Sequence, residues 1–83
     1  MLSARTMGAI RGYLEARQEL EAAEVLYEKY RSTPLIIRYT ASHDAYDKAL
    51  ARLVRTLPEG MDVQEALFEY LQLVSEAVNG HYP

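Results

Sequence analysis

RSTPLIIRY, residues 31–39, decides how this chain folds, because it interrupts a helical pattern that otherwise runs from about residue 3 to residue 57. Pro34 has no N–H to give and disfavours helical geometry at Thr33, so the first helix is expected to stop near Arg31. Thr33 then suits an N-cap and Pro34 the first position of a new helix. Two helices joined by so short a connection lie antiparallel, side by side.

Upstream of the break, Leu2, Ala9, Tyr13, Ala16, Leu20, Ala23, Tyr27 and Tyr30 fall on one stripe of a helix spanning about 3–31, with Ser3 as a candidate N-cap. Met7, Ile10 and Leu14 form a second stripe confined to the first half. The small Ala9, Ala16 and Ala23 would let a neighbouring helix approach closely. Downstream, Leu35, Tyr39, Tyr46, Ala49, Leu50, Leu53 and Leu57 mark one face of a second helix over about 34–57. Ile36, Ile37 and Thr40 are β-branched, which leaves a strand or frayed start open there, and Ser42 is an alternative cap for a shorter helix.

A second break, Pro58-Glu59-Gly60, precedes the best-signalled helix, about 62–79. Asp62 with Glu65 forms a capping box, and Met61 with Ala66 a hydrophobic staple. Val63, Leu67, Tyr70, Leu71, Val74 and Val78 line one stripe, and Gly80 sits where a C-cap belongs. The expected fold is all-α: one domain over residues 1–83, an antiparallel up-down-up three-helix bundle with two long helices and a shorter third.

The lengths do not match. At 1.5 Å per residue the first helix is about 40 Å long and the third about 25 Å. The third helix starts beside the N-terminal end of the first and should run out before the 31–34 turn. Leu26, Tyr27, Tyr30, Leu35, Ile36, Ile37 and Tyr39 gather at that hairpin tip with nothing in the chain to roof them all. Contiguous apolar surface rich in tyrosine marks interaction sites. The tip is therefore the candidate partner-binding surface, and a homodimer its simplest use. A second route to a dimer pairs two copies of the first helix about Ala16, bringing Arg11 near the mate's Glu21.

Composition narrows the function classes. The 83 residues carry a net charge of −3 and no cysteine, so no disulfide framework or thiolate chemistry is available, in keeping with a reducing, cytoplasmic setting. The longest purely apolar run is Leu35-Ile36-Ile37, too short for a membrane span. Arg5, Arg11 and Arg17 among apolar residues superficially suggest an organellar presequence, but Glu15 interrupts them and the helical pattern continues. Charge is uneven: Arg38, Lys48, Arg52 and Arg55 make residues 34–57 basic, whereas residues 58–83 carry Glu59, Asp62, Glu65, Glu69 and Glu76 without a Lys or Arg. Attraction between neighbouring helices is the plain reading of that split.

Chemistry is sparse. No glycine-rich phosphate loop occurs. His43 and Asp47, one turn apart, could offer two metal ligands but lack a third, and Glu15–Glu19 and Glu24–Glu28 read as solvated faces. No serine has a histidine in a triad-like arrangement. No cofactor or metal is expected. Lys48, Arg52 and Arg55 make a modest basic stripe on the second helix. A helix-turn-helix forced onto residues 45–72 would present Glu65 and Glu69 to phosphates, so nucleic acid is not the expected partner. In outline the chain is similar to the small all-helical chorismate mutases, with their long first helix, dimer and arginine- and lysine-lined sites. Arg11, Lys29 and Arg38 do not fall into that family's motif, so the likeness carries over no catalytic residue. The expectation is a non-enzymatic interaction module, a small regulator, adaptor or inhibitor.

Overall fold

The computed structural model describes residues 2–79, which form α1 (Ala4–Tyr30), α2 (Thr33–Thr56) and α3 (Val63–Asn79), with no strand among the described residues. The fold is the all-α one implied by the sequence, with two long helices packed together and a shorter third that contacts the first. The expected C-cap at Gly80 and the tail at residues 81–83 lie outside the described residues.

Each helix end has a local cause. At the start of α1 the Ser3 hydroxyl accepts from the Thr6 N–H at 3.1 Å, relieving one of the four amide donors that a helix N-terminus leaves without a partner. Arg31 closes α1 in the left-handed region (φ 47°) and donates its N–H to the Tyr27 carbonyl at 2.8 Å. Helix α2 then begins one residue earlier than Pro34 suggested. Ser32 is its N-cap, in extended geometry and without a side-chain cap bond, Thr33 its first helical residue and Pro34 its second. Proline is tolerated there because N–H groups in the first turn have no intrahelical acceptor.

The alternatives for the start of α2 are resolved in favour of one continuous helix. Within this β-branched stretch the Thr40 hydroxyl donates to the Ile36 carbonyl one turn back at 2.9 Å, so its polar group is satisfied inside the helix. Between α2 and α3, Met61 N–H donates to the Pro58 carbonyl at 3.1 Å, closing a turn with Gly60 at φ +83°, where a side chain would be strained. Asp62 Oδ1 then accepts from Glu65 N–H at 2.8 Å, which is the forward half of the capping box expected from the sequence.

The core sits where the three helices converge, at the open end of the hairpin. Ile10 and Leu53 are fully buried there with Leu2, Ala9, Tyr13 and Ala66, and Met7, Leu14, Tyr46, Leu50, Val63, Leu67 and Tyr70 pack against them. Buried Thr6 fastens the same end: its hydroxyl donates to the Thr56 carbonyl at 2.8 Å, tying the start of α1 to the end of α2. Farther up the hairpin Ala23 is fully buried, and Arg38 bridges to Glu19 between α2 and α1 at 3.7 Å.

The fold departs from a close bundle in one respect. Helix α3 docks through its first half, Val63 to Tyr70, and from Leu71 to Asn79 every residue is exposed. The short Leu57–Asp62 connection fixes where α3 starts, but not the angle at which it crosses. The Cα radius of gyration is 15.7 Å, against about 12 Å for a compact chain of this length. The outline is flat, 48 × 35 × 16 Å.

Candidate interaction surface

Helix α3 carries five exposed large apolar side chains, Phe68, Leu71, Leu73, Val74 and Val78. Of the stripe read from the sequence, Val63, Leu67 and Tyr70 pack against the core, beside the buried Ala66. Leu71 and Val74 continue the same stripe but are 60% and 42% exposed, with Val78 beyond them also exposed. Phe68, on an adjoining face, is 65% exposed. The signal for this surface was present in the sequence, since α3 has the most one-sided apolar pattern of the three helices. The period shows that a face wants covering; it does not say by what.

The hairpin tip is divided. Leu26, Tyr27, Leu35 and Tyr39 are half-buried, and the Tyr27 and Tyr39 rings stack at 5.6 Å with 16° between their planes, so the two helix ends partly roof each other. The Arg31 guanidinium lies over the Tyr27 ring at 5.9 Å. Tyr30, Ile36 and Ile37 remain exposed; Lys29 over the Tyr30 ring at 5.4 Å shields it only in part.

A third feature was not read from the sequence. On the far side of the hairpin, Gly8, Gly12 and Ala16 of α1 face Ala45 and Ala49 of α2 across a shallow groove. At one end it is flanked by Arg5, Lys48, Arg52 and Arg55 with no carboxylate in the lining. At the other end it meets Glu15, Glu19 and Arg38. Gly8 and Gly12, four residues apart, were the available signal: a Cβ added at either meets nothing within 4 Å, so that side of α1 is open.

Among the described residues several titratable groups are engaged locally. Tyr13 and Tyr46 join hydroxyl to hydroxyl at 3.2 Å inside the hairpin, and this hydrogen bond, with burial second, raises Tyr46 above the ordinary tyrosine range. His43 Nδ1 lies 3.3 Å from an Asp47 carboxylate oxygen as a surface pair. No cluster of three metal-ligating side chains occurs among the described residues. Arg38 and Lys29 are engaged separately, with Glu19 and with the Tyr30 ring. No helix among the described residues is long and apolar enough to cross a membrane.

Taken as a whole, the chain exposes 6266 Å², whereas a compact monomer of its 9.5 kDa exposes about 5,000 Å². The excess of about 1,200 Å² exceeds what one partner contributes to an ordinary stable interface, about 800 Å². The chain matches no family model, no curated protein and no solved structure, so what it does is to be read from these surfaces.

Proposed function

We propose that this chain is a non-enzymatic protein–protein interaction module, a small regulator, adaptor or inhibitor, that works as a homodimer and docks through its uncovered apolar surfaces. The observation that carries this reading is the set of large apolar side chains left exposed on α3 and at the hairpin tip, in a chain that exposes more surface than a compact monomer of its mass. Each large apolar side chain moved from water into an interface is worth about 1.5–3 kcal/mol. The exposed fractions of the five on α3 (Phe68, Leu71, Leu73, Val74 and Val78) amount to between two and three whole side chains, so covering them is worth about 4–8 kcal/mol, against about 4–12 kcal/mol for the stability of a domain of this length.

Two regions divide the work. The second half of α3 offers the continuous face that self-association needs. The tip, with Tyr30, Ile36 and Ile37, supports a second contact, either between copies or with another protein. Light scattering across a concentration series tests the reading, with a mass of twice 9.5 kDa expected at high micromolar concentration. Tyr30→Glu with Ile36→Glu is expected to leave helix content unchanged, because both side chains are exposed, and to weaken contacts made by the tip. A wild-type mass that stays at one chain throughout the series overturns the homodimer.

A further inference from the structure

We propose that the homodimer is built by docking α3 of one copy into the basic groove on the back of the α1–α2 hairpin of the other. The inference rests on the self-association reading above and names the receiving surface.

Shape is the first argument. At 100° per residue, Gly8, Gly12 and Ala16 lie about 170° around α1 from Met7, Ile10 and Leu14, the side toward the chain's own α3. The hairpin thus has two broad faces, one occupied by α3 and one open. The open face is floored by small residues, Gly8, Gly12, Ala16, Ala45 and Ala49. The outer face of α3, which also holds Glu65 and Glu76, carries large ones, Phe68 and Leu73. Large side chains on one helix and a small-residue groove on its neighbour allow close approach of the axes. Lengths agree as well: from Arg5 to Glu19 the groove runs about 21 Å along α1, and α3 is about 25 Å long.

Charge is the second argument and points to this occupant in particular. Arg5, Arg52 and Arg55 have no ion-pair partner among the described residues. Arg5 stands in the first turn of α1, where the helix dipole disfavours a cation, so an anionic partner would relieve a local cost. Helix α3 has no Lys or Arg, and its Glu65 and Glu76 share a face with Phe68. An acidic helix with an apolar edge meets a basic groove with a small-residue floor. Complementary charges of this kind fix register and partner choice. Donor and acceptor surfaces differ, so two copies satisfy each other when the exchange is reciprocal.

Two independent variants test this by sedimentation equilibrium, with circular dichroism to verify folding. Gly12→Leu meets open space in the single chain and improves helix propensity, so the fold is expected to hold. The leucine fills the groove, however, and self-association is expected to weaken by about tenfold or more. Arg52→Glu with Arg55→Glu is expected to weaken it similarly, and adding Glu65→Arg with Glu76→Arg to restore it to within about threefold of wild type. A wild-type dimer indifferent to Gly12→Leu and to the charge reversal overturns the docking mode but leaves self-association standing. A dimer lost on charge reversal and not regained by the swap overturns it too. A wild-type chain that never associates overturns both. Duplex oligonucleotide binding that is abolished by Arg52→Glu with Arg55→Glu, while self-association keeps its strength, assigns the groove to polyanions and overturns the proposal.

Discussion

Replacing Leu71 and Val74 together with serine separates what α3 does inside one chain from what it does between chains. Leu71 is 60% and Val74 42% exposed, so the two buried remainders amount to about one whole side chain, worth about 1.5–3 kcal/mol to the folded single chain. The uncovered fractions also amount to about one side chain per copy. A dimer that buries them on both copies hides about two, worth about 3–6 kcal/mol, or about 10² to 10⁴ in dissociation constant. Docking of α3 onto the hairpin depends mainly on Val63, Ala66, Leu67 and Tyr70, none of which is altered. Circular dichroism should therefore show a helical, somewhat less stable protein, and sedimentation equilibrium a dimer weakened by two to four orders of magnitude. A double variant that associates as tightly as wild type would show that this face stays wet in solution, and the argument from exposed surface would fail for α3.

Two further outcomes follow from the hairpin itself. Leu53 is fully buried against Ile10 and Tyr13, so Leu53→Ala is expected to cost about 2–5 kcal/mol in urea unfolding; a loss well under 1 kcal/mol would mean that the site collapses or admits water. Tyr46 is raised by its hydrogen bond to Tyr13, so its neutral form is favoured in the folded state. That contribution is complete below about pH 10, the unfolded value, and is lost as pH climbs through the raised folded value. Tyr13→Phe removes the bond and should make the alkaline fall in melting temperature shallower. An identical slope in both proteins would refute the assignment.

Local chemistry made most of the fold legible in the sequence. Pro34 and the Pro58–Gly60 turn set the helix count, Ser3 and Asp62 are caps in the structure as read, and the 3.6-residue period placed Ile10 and Leu53 on apolar stripes that the structure buries. Thr33 as the cap of α2 was off by one residue, because the first turn tolerates proline at more than one position. The candidate site was less legible. Of the seven tip residues, Tyr30, Ile36 and Ile37 stand exposed, while Tyr27 and Tyr39 satisfy each other by stacking.

The sequence by itself determined that this chain is three helices, which face of each is apolar, and that the third is too short to cover the first two. Only the tertiary structure decided the angle at which α3 leaves the hairpin, and so which apolar face is left uncovered. Periodicity and caps are set by neighbours along one helix. A crossing angle is set by how side chains from different helices interlock, and no pattern along the chain encodes it directly. The groove between α1 and α2 was hidden for the same reason: Gly8 and Gly12 form an open floor only because a second helix lies beside them.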